Sequence, residues 1–119
     1  MSASVEAAAR IIADLVAAGV RDVVLSPGSR SAPVAYVVAA AERDGRLRLH
    51  VRHDERSAAF LGLGIGRADP LHPAVVVTTS GSAVANLVPA AMEAHHAGVP
   101  LVLLTADRPT RLRGTWANQ

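Results

Sequence analysis

Apolar positions along the chain switch between helical spacing and short unbroken runs. Val5, Ala8, Ile11, Ile12, Leu15 and Val16 share one helical face, which predicts a helix over Ser4–Ala18. Gly19 ends it as a left-handed cap. Asp22–Leu25 is a short valine-rich run that suits a buried parallel strand. Ser26–Ser31 is a turn cluster, and Ser31 is expected to cap a second helix that tolerates Pro33 in its first turn and runs to about Arg43.

The alternation continues. Leu47–Val51 reads as the next strand. His53, Asp54 and Glu55 open a third helix, with acids where the helix dipole favours them, and it extends to about Ala68. Asp69–Pro73 is a loop, and Ala74–Thr78 is a strongly β-branched strand. Thr79–Ser82 is a tight turn, Ala83–Ala97 a fourth helix capped by Gly98, and Pro100–Leu104 a fourth strand. Thr105–Gln119 has no clear periodicity. Strands alternating with helices imply an α/β fold, a doubly wound parallel sheet with helices on both faces. No helix follows the last strand, so residues 1–119 are expected to be a single domain, incomplete at its C-terminal end and either part of something longer or in need of a partner surface.

Composition narrows the chemistry. The core must be aliphatic, because only 3% of residues are aromatic while 50% are hydrophobic. Cysteine is absent, which removes disulfides, thiolate metal sites and cysteine nucleophiles. The pI of about 10.4 does not signal nucleic acid. All basic side chains except His are Arg, and with no Lys or Cys and a single Tyr little titrates between His and Arg, so a net charge of +2 is enough to raise it. The arginines are interleaved with acids and lack stacking aromatics, so no nucleic-acid partner is expected. No apolar run is long enough to span a bilayer. Glu6 and Arg10 interrupt the N-terminal alanines, so no signal peptide is expected and the protein is expected to be cytoplasmic.

In an open parallel sheet, ligands bind beyond the carboxyl ends of the strands. Those ends are Ser26–Ser31, His53–Glu55, Thr78–Ser82 and Thr105–Arg108, where most polar interruptions lie. Gly28 and Gly81 permit unusual backbone near helix starts, which attract anions. Ordinary βα turns with serine caps would look the same. Arg30 tips the balance, since a guanidinium between two turn serines suits a carboxylate or phosphate. Glu55 could equally be a first-turn acid that only complements the dipole. Gly62, Gly64 and Gly66 come late in a helix, so close packing explains them better than a dinucleotide fingerprint. Adjacent His95 and His96 point apart on a helix and are not expected to bind metal.

Several segments in order resemble a known family over the whole chain. They are Ser-Pro-Gly-Ser-Arg-Ser (26–31), Asp-Glu-Arg-Ser-Ala-Ala-Phe (54–60), Thr-Ser-Gly-Ser-Ala-Val-Ala-Asn-Leu (79–87), Glu-Ala-His-His (93–96), Leu-Thr-Ala-Asp-Arg-Pro (104–109) and Ala-Asn-Gln (117–119). The chain resembles the N-terminal pyrimidine-binding domain of the MenD family of menaquinone biosynthesis, the 2-succinyl-5-enolpyruvyl-6-hydroxy-3-cyclohexene-1-carboxylate synthases. The Glu55 and Thr79–Gly81 segments are shared by many thiamine-diphosphate enzymes; the first and fifth segments are much more specific.

The resemblance implies a transferase that decarboxylates 2-oxoglutarate on thiamine diphosphate with Mg²⁺ and adds the remaining unit to isochorismate. It implies that Glu55 bonds the aminopyrimidine ring of the cofactor as the catalytic carboxylate, with Asn118 also at the cofactor. Ser29, Arg30, Arg108 and Gln119 would bind substrate. No metal ligand is expected among these residues, since the family holds Mg²⁺ and the diphosphate on a separate domain, in a homodimer or homotetramer; residues 1–119 are therefore expected to supply only part of the active site and to show no synthase activity alone. Two departures stand out: Trp116 occupies a position where the family has glycine, and Arg108–Leu112 lacks the usual two prolines and acid. The alternatives are a non-catalytic small-anion-binding α/β module, or a thiamine-diphosphate enzyme with a different acceptor.

Overall fold

The computed structural model describes residues 1–117. Helix α1 (Ala3–Ala17) starts at Ser2, whose hydroxyl accepts from the Val5 amide, and Gly19 leaves it with φ 105°. Strand β1 (Asp22–Leu25) leads through a 3₁₀ turn at Ser29–Ser31 into α2 (Ala32–Arg43). Then come β2 (Arg48–Val51), α3 (Glu55–Ala68) and β3 (Val75–Thr78). The short α4 (Ser82–Ala85), α5 (Val88–Ala97), β4 (Val102–Thr105) and a 3₁₀ turn at Thr110–Leu112 complete the order.

The four strands are parallel in the order β2-β1-β3-β4, as the alternation predicts. Side chains alternate between the faces of the two central strands. Val23, Leu25, Val75 and Val77 pack with Ile12, Val38 and Ala41 of α1 and α2. Val24 and Val76 pack with Ala58, Ala59 and Ala90 of α3 and α5. Each buried valine stabilises by about 1.5–3 kcal/mol, which lets an almost ring-free core hold the sheet. Successive connections leave β1 and β3 in opposite directions, so the crevice beyond those two strands is the topological switch point.

Three features differ from the expected elements. The predicted helix Ala83–Ala97 is broken at Asn86–Leu87. Pro89 explains the break: in a continuous helix its ring would collide with the Ala85 carbonyl, and it has no N–H to give. The fourth strand begins at Val102 rather than Pro100, and only there does its register with Val75 start. Ser31 does not cap α2; its hydroxyl turns back and donates to the Gly28 carbonyl at 3.0 Å.

Two of the three late glycines of α3 are packing residues; Gly64, also expected to pack closely, is exposed and a Cβ there would meet nothing within 4 Å. A Cβ at Gly62 would lie 2.5 Å from Val76 Cγ2, and one at Gly66 would run into the Pro100 carbonyl oxygen. Beside them β4 has one covered face and one open, with Leu103 36% exposed. Among the described residues no helix is long and apolar enough to cross a membrane.

The amino end of the sheet is tied by Asp22, which is buried. Arg48 Nε and Nη2 donate to its two carboxylate oxygens at 2.9 and 2.7 Å, and His50 Nε2 lies 2.8 Å from Oδ1. The Arg48 bonds, helped by His50 and opposed by burial, hold the Asp22 carboxyl at about 2 rather than 3.8. A depressed carboxylate pKa contributes stability that is present above 3.8 and lost as pH falls towards 2. Because Arg48 is largely exposed, the linkage is discounted to about 1–2 kcal/mol. Asp22→Asn is therefore expected to lower urea stability by about that much at pH 7, with the gap closing below pH 4. Equal losses at pH 7 and pH 2 would disprove the linkage.

Candidate active site

The two turns at the switch point are built against each other. Ser26 continues the ladder by donating its amide to the Val77 carbonyl at 2.9 Å. Beyond Pro27, Gly28 has an extended backbone at φ −166°, so it is not glycine for its conformation. It is glycine for space: a Cβ there would meet Thr79 Cγ2 at 2.6 Å and Oγ1 at 2.9 Å, and the Thr79 Cβ closer still. Gly81, with φ 78° and ψ −136°, does need the freedom of a residue without a side chain. Ser31 bonding to Gly28 closes the first turn and leaves Ser29 and Arg30 at its outer edge.

The fourth strand brings its own turn alongside. The Ala106 amide donates to the Thr78 carbonyl at 3.1 Å, so Asp107 and Arg108 emerge next to β3. There a depression of about 470 Å³ is lined by Ser29, Arg30, Pro33, Asp107, Arg108 and Pro109. Three of the expected substrate-binding residues, Ser29, Arg30 and Arg108, thus meet in one place. Asp107 and Arg108 also line a second depression of about 670 Å³, with Gly81, Ser82, Arg113 and Trp116.

The charges are arranged. Asp107 Oδ1 accepts from the Arg108 amide at 2.7 Å, and Oδ2 pairs with Arg113 Nη2 at 2.9 Å. Arg108 Nε donates to the Ala117 carbonyl at 3.0 Å, which fixes the plane of its guanidinium. Three guanidinium groups against one carboxylate leave this edge positive, and the planar forks suit carboxylates or phosphates.

Glu55 stands apart. It is the first residue of α3, beyond the edge strand β2, and lines neither depression. Asp54 caps that helix, accepting from the Ser57 amide at 2.8 Å, and this bond lowers the Asp54 pKa. Glu55 is thereby spared the capping role; it is half-buried, and its carboxylate bonds none of the described residues. Asn118 and Gln119 lie outside the described residues. His95 and His96 are exposed, with ring centroids 5.4 Å apart, and no group of three or more His, Asp or Glu among the described residues could hold a metal.

Sequence reasoning missed the polar floor of the switch point. The hydroxyls of Ser26, Thr79 and Ser80 are buried and have no hydrogen-bond partner among the described residues. Buried unpartnered hydroxyls are uncommon and costly, and here they gather at the ends of the two central strands. Their only sequence signal is hydroxyl residues just after a valine-rich strand.

Comparison with known proteins decides the family. Residues 5–119 match the family described as thiamine pyrophosphate enzyme, N-terminal TPP binding domain. The chain belongs to this family. It is also similar to proteins named 2-succinyl-5-enolpyruvyl-6-hydroxy-3-cyclohexene-1-carboxylate synthase. The one from Kineococcus radiotolerans is 61% identical over all of this chain and 21% of the relative. That from Rhodococcus erythropolis is 55% identical over all of this chain and 22% of the relative, and that from Leifsonia xyli 59% identical over 92% and 18%. The chain spans about a fifth of the length of these relatives.

One residue of this TPP binding domain is at odds with its backbone. Trp116 has φ 61°, and among the described residues it is the only one other than glycine with positive φ. A bulky side chain there costs about 1–2 kcal/mol. The indole is 99% exposed, so contacts within the domain do not offset that cost.

Proposed function

We propose that the protein acts in menaquinone biosynthesis as a 2-succinyl-5-enolpyruvyl-6-hydroxy-3-cyclohexene-1-carboxylate synthase, forming a carbon–carbon bond between 2-oxoglutarate and isochorismate with release of CO₂. The carrying observation is the meeting of Arg30 and Arg108 in one depression at the switch point. Both substrates are carboxylates, and two planar forks beside Ser29 can grip such groups at fixed orientation.

The residues present fit thiamine diphosphate. The buried hydroxyls of Ser26, Thr79 and Ser80 need partners, which a polar heterocycle or its bound water would offer. Glu55 offers an uncommitted carboxylate that would bond a ring nitrogen of the aminopyrimidine. When bound, the cofactor supplies a carbon acid that adds to a 2-oxo acid and accommodates the charge left by decarboxylation. Glu55 holds and returns the proton at the ring nitrogen; Arg30 and Arg108 orient the carboxylates; the interlocked turns keep these groups in register. Mg²⁺ belongs to the same proposal, and no described residue is assigned to it. A homodimer or homotetramer in the cytoplasm is the assembly proposed with it.

The test is turnover of 2-oxoglutarate and isochorismate by the full-length enzyme with thiamine diphosphate and Mg²⁺, followed by CO₂ release. Arg30→Ala is expected to raise the substrate KM by about thirtyfold or more, since truncating one partner of a desolvated charge pair costs about 2–5 kcal/mol. Unchanged KM values would take Arg30 out of the site.

A further inference from the structure

We propose that Trp116, held on a tethered backbone turn, is an aromatic platform at the mouth of the second depression, stacking the ring of a cyclic carboxylate whose charge is held by Arg108. This rests on reading the switch-point edge as a carboxylate site and adds a determinant of specificity to it.

The turn carrying Trp116 is tethered on both sides. Arg108 Nε holds the Ala117 carbonyl at 3.0 Å, and Thr115 Oγ1 donates to the Leu112 carbonyl at 2.8 Å. Arg113, three residues earlier, is paired with Asp107 at 2.9 Å. These tethers keep the backbone at a φ that a bulky side chain disfavours. Strain maintained in this way points to a function for the residue that carries it. The indole lines the same depression as Arg108 and Arg113, yet nothing in the described chain covers it. A π-face beside guanidinium groups is matched by a ligand that is flat at one end and anionic at the other. An acyclic dicarboxylate would use the arginines and leave the indole untouched.

The chain has one tryptophan, so its fluorescence reports this indole alone. Benzoate serves as the ring-bearing probe and 2-oxoglutarate as the acyclic one, both titrated into the purified protein by fluorescence and calorimetry. Benzoate is expected to change the tryptophan emission saturably. Trp116→Gly is expected to weaken benzoate roughly three- to tenfold, Trp116→Phe to keep most of the affinity, and 2-oxoglutarate to bind all three alike. Benzoate binding Trp116→Gly as tightly as the wild type would overturn the platform and leave the carboxylate site standing. Failure of both carboxylates to bind the wild type would overturn the site and the platform with it. An emission shift that grows with protein concentration and needs no ligand would assign the indole to a second copy of the chain and overturn the platform.

Discussion

Glu55→Gln in the full-length enzyme is expected to lower turnover by about 10²–10⁴ while the protein remains folded. The amide has nearly the same shape as the acid, but it cannot take up or return a proton at a ring nitrogen. The structure makes this substitution unusually clean. The first turn of α3 is capped by Asp54, which bonds the Ser57 amide, so the cap survives the change. Glu55 bonds none of the described residues, so no native pair is broken. Loss of its charge at the helix start costs at most about 1 kcal/mol. The measurements are turnover and thermal unfolding on the same preparations. Near-normal turnover, or a collapse of stability that accounts for the lost activity, would remove the proton-handling role.

Gly28→Ala is expected to be nearly as damaging, by a different route. The added methyl would meet the Thr79 side chain well inside contact distance, and Thr79 sits on the rigid end of β3. The two turns must therefore separate. Overpacking of this kind costs about 1–3 kcal/mol. The functional loss is larger, because Ser29 and Arg30 move relative to Arg108, and a displacement near 1 Å can cost about a hundredfold in rate. Shortening the opposing side chain tests the cause: Thr79→Gly combined with Gly28→Ala should recover stability and be no less active than Thr79→Gly alone. Single and double variants that are equally impaired would show that the steric account is wrong. Wild-type behaviour of Gly28→Ala would show that the turns can part without consequence.

These two positions also mark how far the sequence could be read. The parallel sheet was legible because β1, β3 and β4 are short, mostly apolar runs, β2 alternates apolar and polar residues, and the helices have apolar faces, patterns that need no knowledge of distant residues. The carboxyl-edge rule then located Ser29, Arg30 and Arg108 without coordinates, since the rule depends only on strand direction. Gly28 was legible as a special position, but for the wrong reason. Its need arises from Thr79, which is remote in sequence, and only the β1–β3 pairing brings them together. The break at Asn86–Leu87 was available from Pro89 and was overlooked in favour of periodicity. Glu55 was picked out by resemblance; its half-buried, unbonded carboxylate could not be read from residue type, because the decisive fact is that its neighbour Asp54 takes the cap.

The Asp22 clamp has a wider consequence for how this domain tolerates change. It fastens the sheet at the end opposite the paired turns, through side chains from both β1 and β2. Anchorage and the proposed site are therefore housed at opposite poles of the same four strands. Substitutions near the proposed site can be explored by descent without loosening the foundation, and reinforcement of the foundation leaves that rim free to diverge.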